Sequence, residues 1–304
     1  FWATSALALP YSNLVVFGDS LADSGNNYLA TGGAQTAVPL SGPTVPIYPY
    51  ASGRYSNGPV WTEYFATSLG LGLTPSLLGG NNYAFGGARV AGASPVPTLQ
   101  QQVGLYLSAN TVSANALYVI EGGGNDARDV LDLVLSGQDP TQRIADYVLG
   151  MVDMIGTLAG LGANHFLVWN ITDLGLVPAV TAQGAAAAQG ASNVVAAMNL
   201  LLTQALAALP GSVTDDLILF DAYAGLNAIV ANPAAYGLAD AGTACAADVT
   251  CDASQAFFWD GIHPTTAGHQ IMARLAVAAI PEPATGLLLG FALLGLAASR
   301  RRVA

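Results

Sequence analysis

A short apolar segment that ends in a glycine and a serine constrains this chain more than any other feature. Residues 13–17 form an apolar run that predicts a buried strand, and Gly18 and Ser20 follow it. Glycine permits a sharp exit, so Ser20 is predicted to lie at the carboxyl end of a sheet, where ligands bind in open α/β folds. A helix beginning there would favour an oxyanion. Ser20 is therefore either a nucleophile or only the N-cap of that helix.

Three further blocks, all downstream, distinguish these two interpretations. Two of them are glycine-rich, and the third places an aspartate three residues before a histidine. In chain order they are residues 82–88, 122–126 and 259–265. Together with residues 17–27, they resemble the motifs of the GDSL esterase/lipase branch of the SGNH hydrolases, over about residues 13 to 279. Each block alone is common by chance, whereas all four in this order are specific.

The resemblance implies a site for ester hydrolysis that draws on all four blocks. Ser20 would be the nucleophile, His263 the base and then the acid, and Asp260 the group that orients the imidazole. The oxyanion donors would be the backbone N–H groups of Ser20 and Gly87 and the side-chain amide of Asn125. The chain thus carries each kind of group that acyl transfer requires.

Two adjacent glycines are candidates for the backbone N–H that would donate to the oxyanion. A backbone N–H approaches a substrate closely only where no Cβ intrudes, which gives a glycine at this place a physical reason. The resemblance favours Gly87, with Gly86 as the alternative one residue earlier.

Other polar residues of the chain have structural explanations. His165 begins a predicted buried strand, and His269 lies in the last predicted helix. Asp19, Asp23 and Asp126 are expected to accept hydrogen bonds from turn amides. With three histidines and no clustered ligand spacing, the sequence predicts no catalytic metal and no cofactor.

Apolar runs alternate with helical patterns along the body of the chain. The runs predict five strands, at residues 13–17, 83–85, 116–120, 165–171 and 217–220. Helical periods separate them, as at 141–161 and 185–209. Such alternation is typical of a parallel sheet with helices on both faces. We therefore predict an α/β fold, a three-layer α/β/α sandwich around a mostly parallel five-stranded sheet, which is the flavodoxin-like arrangement that the SGNH resemblance implies.

The chain divides into one domain and two terminal segments. Residues 1–8 end in an Ala-x-Ala pattern typical of a secretory signal peptide, with an ordinary apolar start as the alternative. Residues 9–279 contain no Pro- or Ser-rich linker and predict one SGNH/GDSL hydrolase domain. Residues 280–304 predict a separate sorting segment.

That last segment has three parts. A Pro-Glu-Pro group at 281–283 precedes sixteen uncharged residues, 284–299, and then three arginines. This layout resembles the PEP-CTERM sorting signals that an exosortase processes in Gram-negative bacteria. As a helix the uncharged stretch would span roughly 24 Å, close to the ~30 Å hydrocarbon core of a bilayer, with the arginines on the cytoplasmic side. We expect transient insertion into the inner membrane and then release to the cell surface or medium, with a permanent anchor as the alternative.

The charge balance excludes one class of partner. The chain has eight arginines, no lysine and 19 acidic residues, for a net charge of −11. Such a surface repels phosphate backbones, so we predict no nucleic-acid binding.

The two cysteines bear on the compartment. Cys245 and Cys251 lie six residues apart in a polar stretch. In an exported protein they predict one small-loop disulfide, whereas a cytosolic chain would leave two free thiols.

These features predict an enzyme. The sequence favours a secreted serine esterase or lipase that hydrolyses carboxylic acyl esters through an acyl-enzyme, with esters of lipids or small alcohols as substrates. A polysaccharide O-acetylesterase at the cell surface is a close variant. The alternative from another class is a surface binding protein that kept the fold and lost the reaction, and the presence of Ser20, Asn125, Asp260 and His263 argues against it.

Overall fold

In this computed structural model, the described residues are 11–32, 50–51 and 53–281. They cover most of the predicted domain at 9–279. The predicted signal-peptide remnant at 1–8 and the predicted membrane helix at 284–299 lie outside them.

The described part of the chain contains six strands, ten α-helices and four short 3₁₀ helices. The strands are β1 (Asn13–Phe17), β2 (Ala116–Ile120), β3 (His165–Trp169), β4 (Leu217–Phe220), β5 (Asp240–Ala244) and β6 (Ala256–Phe258). The α-helices are α1 (Asn26–Ala30), α2 (Trp61–Ser68), α3 (Leu99–Ala109), α4 (Gly124–Leu135), α5 (Thr141–Gly160), α6 (Pro178–Thr181), α7 (Ala185–Ala207), α8 (Gly211–Thr214), α9 (Ala222–Ala231) and α10 (Thr266–Ala279). The 3₁₀ helices are Ser76–Leu78, Leu174–Leu176, Pro233–Tyr236 and Cys245–Ala247.

Strands β1 to β4 form one parallel sheet in the order β1-β2-β3-β4, and β5 pairs with β6 separately. In register, Val15 lies opposite Tyr118, and Tyr118 lies opposite Phe166. Every residue of β2 is buried, as expected for a strand with helices on both sides of its sheet. Because the strands are parallel, their carboxyl ends meet at one edge, and Gly18 and Glu121 follow β1 and β2 there.

The predicted fold class is confirmed, but the sheet has four strands among the described residues and not the five predicted. Residues 83–85 do lie beside β1, and the N–H of Tyr83 donates to the carbonyl of Val16 at 2.7 Å. Next to β1, however, only Val16 and Asn82 form a strand-like pair. The segment is too short for a regular ladder because the glycine pair at 86–87 turns the chain away.

Helices cover both faces of the four-stranded sheet. Helices α3, α4, α5 and α7 pack together on one face, and α2, α9 and α10 pack on the other. Trp61 of α2 contacts Trp169 of β3 at a ring-centroid distance of 4.1 Å, and Trp169 contacts Phe220 of β4 at 4.5 Å. The fold is therefore a three-layer α/β/α sandwich with one continuous apolar core.

One described helix, α7, is long and apolar enough to cross a membrane by length and composition. It packs on α4 and α5 and buries Val195, Met198 and Leu202. Its apolar character is therefore explained by its place in the sandwich.

A disulfide bond joins Cys245 and Cys251, whose Cα atoms lie 5.4 Å apart. Within the loop that it closes, the N–H of Ala246 donates to the carbonyl of Trp259 at 2.8 Å. The N–H of Trp259 in turn donates to the carbonyl of His263 at 2.8 Å. The disulfide loop therefore supports the segment that carries His263.

Candidate active site

Ser20 lies in a tight turn at the carboxyl end of β1. The N–H groups of Ala22 and Asp23 both donate to the carbonyl of Asp19, which closes the turn around Ser20. No helix begins at Ser20, because the next helix, α1, starts six residues later at Asn26. Ser20 is therefore not an N-cap, and the expected helix N-terminus does not lie behind it.

The three side chains predicted to form a catalytic triad are connected by a continuous series of hydrogen bonds. The Oγ of Ser20 is 2.8 Å from Nε2 of His263, and Nδ1 of His263 is 2.6 Å from Oδ2 of Asp260. The other carboxylate oxygen, Oδ1, accepts the backbone N–H groups of Ile262 and His263 at 2.8 and 2.7 Å. Asp260 thus holds both the imidazole ring and the turn that carries it.

The charge of Asp260 is stabilised in place. Burial alone would raise its pKa, but the attraction of His263 and the hydrogen bonds from His263 and Tyr50 outweigh burial and lower the pKa to about 2. An ionised carboxylate beside Nδ1 favours the tautomer that carries its proton on Nδ1. Nε2 is then free to accept a hydrogen bond from the Ser20 hydroxyl.

Two tyrosines complete this cluster, and sequence reasoning missed their role. The hydroxyl of Tyr50 donates to Oδ2 of Asp260. The Tyr55 ring lies against the His263 imidazole at a centroid distance of 5.3 Å, and its hydroxyl accepts from Nδ2 of Asn27 at 2.7 Å. Both tyrosines come from a Gly-, Pro- and Tyr-rich loop about 200 residues before Asp260, so no local spacing links them to it.

The two candidate oxyanion glycines differ in their surroundings. The N–H of Gly86 donates to Oδ2 of Asp23 at 2.9 Å, and a Cβ at Gly86 would lie 2.1 Å from the Tyr55 ring. Gly87 has a φ of +86°, and its N–H has no acceptor among the described residues. Apart from Gly87 and its two chain neighbours, no described residue has an atom within 4 Å of the position that a Gly87 Cβ would take. The geometry therefore favours Gly87 as the donor that is open to a ligand.

Asn125 lies in the first turn of α4, close to the nucleophile turn. Its Nδ2 donates to the carbonyl of Ala88 at 3.0 Å and lies 3.5 Å from Oδ2 of Asp19. The amide therefore already has two protein acceptors, one of them at a long distance.

Asp23 joins the nucleophile turn to the glycine pair. Its Oδ1 accepts the N–H groups of Gly25 and Asn26, at 2.8 and 2.7 Å. Its Oδ2 accepts the N–H groups of Asn27 and Gly86, at 3.2 and 2.9 Å. One buried carboxylate thus bonds both sides of the site.

A second acidic residue holds the loop that follows the glycine pair. Asp126 accepts the N–H of Val90 at 3.0 Å and forms an ion pair with Arg143 of α5 at 2.9 Å. Arg143 also donates to the carbonyl of Ala91. The glycine loop is thereby fixed to α4 and α5 on one face of the sandwich.

A buried carboxyl group lies below the nucleophile turn, and no pattern in the sequence indicated it. Glu121 follows β2 directly and is 3 % exposed, and its Oε2 has no hydrogen-bond partner among the described residues. Burial raises the pKa of Glu121 well above its ordinary value, and the neighbouring Asp19 raises it further. Burial also raises the pKa of Asp19, to about 6. The surroundings of Glu121 therefore favour its neutral form over its charged form.

We expect Glu121→Gln to change how stability depends on pH. Because the pKa of Glu121 is raised on folding, the folded protein keeps a proton at pH values above the ordinary glutamate range, where the unfolded chain releases it. The wild-type free energy of unfolding therefore falls as pH rises through this range. Glutamine has no such proton. Relative to wild type, the variant should gain ~1 kcal/mol or more between pH 5 and pH 8, as measured by urea denaturation. Parallel pH profiles for the two proteins would contradict the raised pKa of Glu121.

The remaining histidines lie outside the hydrogen-bonded chain. His165 is at the amino end of β3, at the edge of the sheet opposite Ser20, and its Nδ1 is 3.8 Å from Asp216. His269 is buried in α10, where burial lowers its pKa to about 3, so its ring is neutral. Among the described residues, no cluster of three or more His, Cys, Asp and Glu side chains has the arrangement of a metal site.

Two family models match this chain. One is described as GDSL-like Lipase/Acylhydrolase and matches residues 14–276. The other is described as PEP-CTERM protein-sorting motif and matches residues 279–302. The two matches together span the described body and the C-terminal segment.

Similar proteins come from plants and bacteria. A GDSL esterase/lipase of Arabidopsis thaliana is 29% identical, over 86% of this chain and 87% of the plant protein. Lipase 1 of Photorhabdus luminescens is 26% identical, over 92% of this chain and 52% of its own length. Among solved structures, Axe2, an acetylxylan esterase from Geobacillus stearothermophilus, has a TM-score of 0.49 and 15% identity, over 91% of this chain and 98% of its own. A member of the lipolytic protein G-D-S-L family from Veillonella parvula has a TM-score of 0.48 and 16% identity, over 88% of this chain and 96% of its own.

Proposed function

This chain belongs to the GDSL-like lipase/acylhydrolase family, and from that premise we propose that it hydrolyses carboxylic acyl esters through a triad of Ser20, His263 and Asp260. The observation that supports this proposal most is the continuous chain of hydrogen bonds from the Ser20 hydroxyl through the imidazole to the carboxylate. Such a chain is the arrangement that activates a serine for acyl transfer.

The first half of the reaction makes an acyl-enzyme. The Oγ of Ser20 attacks the ester carbonyl carbon while Nε2 of His263 takes the hydroxyl proton. Asp260 stabilises the imidazolium that forms. The imidazolium then donates its proton to the departing alkoxide, and the acyl group stays on Ser20. In the second half, His263 takes a proton from water and the hydroxide attacks the acyl-enzyme. The imidazolium then returns this proton to the Oγ of Ser20 as the acyl–oxygen bond breaks and the carboxylic acid leaves.

The negative charge on the tetrahedral oxygen needs donors that are already in place. We assign this role to the backbone N–H groups of Ser20 and Gly87 and to Nδ2 of Asn125. Gly87 is favoured over Gly86 because the Gly86 N–H is bonded to Asp23. Asn125 contributes once its long approach to Asp19 is exchanged for the oxyanion.

A direct assay tests the proposal. Purified protein should hydrolyse p-nitrophenyl esters and should be labelled by a fluorophosphonate at Ser20, with the labelled peptide identified by mass spectrometry. If protein shown to be folded by circular dichroism neither hydrolysed these esters nor was labelled, the proposed esterase activity would be wrong. The alternative of a binding protein with this fold would then remain.

We further propose that residues 9–279 form the catalytic domain and that residues 280–304 direct export and are then removed by an exosortase-type enzyme. The match to the sorting motif at 279–302 supports this division. The intact mass of the protein recovered from its native host should correspond to a chain cleaved near residues 281–283, with the enzyme released from the inner membrane. A mature species that still carries residues 286–302 would instead identify a tethered periplasmic enzyme.

A further inference from the structure

An apolar pocket lies between the carboxyl edge of the sheet and helices α9 and α10. The space between its walls, counted outward into open solvent, is about 410 Å³. Phe220 at the end of β4 and Phe258 at the end of β6 form part of its wall. Gly225 of α9 and Leu275 of α10 form another part. The pocket is thus a gap between the sheet and one helix layer.

The pocket begins beside the reacting groups. Leu21, which follows Ser20, and Ile262, which precedes His263, both line it. Both side chains are partly exposed, whereas Phe220 and Phe258 are buried. The pocket therefore approaches the Ser20 and His263 pair through these two chain neighbours, and its buried wall lies at the sheet edge, while Gly225 and Leu275 at the α9 and α10 end are also partly exposed.

The lining residues determine which kind of ligand the pocket can bind. Thr172 is its one polar residue, and no charged side chain lines it. An occupant that is charged or rich in hydroxyl groups would lose its hydrogen bonds to water there without replacement. A hydrocarbon chain would instead gain from burial, by about four-fold in binding for each methylene, which corresponds to ~0.8 kcal/mol. An acetyl group has one methyl and would leave most of the pocket empty.

We propose that this pocket binds the acyl chain of the substrate, so that the enzyme prefers esters of medium-length fatty acids to acetate esters. The inference rests on the proposed function, because it places the chain relative to the nucleophile Ser20. The acyl part stays on the enzyme through both halves of the reaction and suits an enclosed pocket. The alcohol leaves after the first half and needs a path to solvent.

One substitution fills the pocket without touching the triad. A Cβ added at Gly225 would meet one atom, Cδ1 of Leu275, at an ordinary contact distance of 3.7 Å. Because both residues line the pocket, the rest of a leucine side chain in Gly225→Leu would occupy the space between α9 and α10. Leucine also favours a helix interior more than glycine does, so the helix should tolerate the change.

We expect Gly225→Leu to lower kcat/KM for p-nitrophenyl octanoate about tenfold or more and to leave that for p-nitrophenyl acetate within about two-fold. The matched control is Gly190→Leu in α7, where the added Cβ would meet no described atom within 4 Å beyond the adjacent backbone of its own helix, and Gly190 does not line the pocket. That variant should keep the wild-type preference for octanoate. Equal effects of Gly225→Leu on both esters, or a wild type without preference for octanoate, would overturn the pocket assignment and leave the proposed function intact.

Two further measurements distinguish a wrong pocket assignment from a wrong proposed function. Acetate esters of alcohols of increasing chain length test the other side of the ester bond. If Gly225→Leu selectively lost activity on the long-chain alcohol esters, the alcohol chain would occupy the pocket, and the proposal would be overturned. Sodium octanoate should raise the Tm of the Ser20→Ala variant but not that of Ser20→Ala/Gly225→Leu. This binding test needs no catalysis, so it decides on the pocket even if no ester is hydrolysed. An equal Tm shift in both proteins would overturn the proposal.

Discussion

Replacing Ser20 with alanine is expected to lower the rate of ester hydrolysis by roughly 10⁴-fold or more. In the proposed mechanism, the Oγ of Ser20 is the attacking atom, and the hydrogen bonds from Asp260 through His263 activate it. Without it no acyl-enzyme forms, and the remaining groups can act only on water. The rate is measured with p-nitrophenyl esters under saturating and subsaturating substrate.

The same substitution should leave the fold intact. Ser20 lies in a turn that is closed by the backbone of Asp19, and its side chain has one hydrogen bond, to His263. The free energy of unfolding is therefore expected to change by about 1 kcal/mol or less. Ser68→Ala, at the exposed end of α2, is a matched control that should retain full activity. A purified Ser20→Ala protein with near wild-type turnover would disprove the assignment of the nucleophile.

His263→Ala is expected to be as damaging as the serine substitution. The imidazole is the only group within hydrogen-bond distance of the Ser20 Oγ among the described residues, so its loss leaves no base for the first step and no acid for the leaving group. Asp260→Ala should retain more activity, because an orienting group is replaced in part by water. Steady-state rates for the two variants give the comparison directly.

Acidification should lower the wild-type rate, since a protonated imidazole cannot accept the serine proton. Asp260 does not contribute to this loss in the ordinary assay range, because its pKa is lowered to about 2. His165→Ala is the control, since His165 lies at the opposite edge of the sheet. If His165→Ala were the inactive variant, or if the rate were constant from pH 5 to pH 8, the assigned base would be wrong.

Local pattern was enough to predict much of this molecule. Each apolar run of four or five residues became a strand of the sheet, because a strand buried on both faces must be apolar throughout. The position of Ser20 followed from the same logic, since a parallel strand ends at the ligand-binding edge. The pairing of Asp260 with His263 was also predictable, because three residues of tight turn keep the two side chains together.

Features that depend on distant contacts were not predictable. The bond between Tyr50 and Asp260 joins residues 210 positions apart, and no repeat or spacing marks it. Glu121 looks like the polar end of an apolar strand, and only the packed structure shows that water does not reach it. The predicted helix behind Ser20 failed for a similar reason: Asp23 accepts the amides that a helix would have used and moves the start of α1 to Asn26.

The hydrogen bonds of Asp23 to two separate loops affect how the site responds to movement of either loop. A nucleophile and an oxyanion donor on separate loops would each move with its own loop, and their separation would vary with every fluctuation. Here the turn after Ser20 and the N–H of Gly86 bond the same carboxylate, so displacement of one loop carries the other with it. The distance from the Ser20 Oγ to the N–H of Gly87, the proposed oxyanion donor, is thereby held although the two groups come from separate loops. Loss of the Asp23 carboxylate would therefore release the two loops from each other, whereas a change elsewhere in either loop would leave this connection in place.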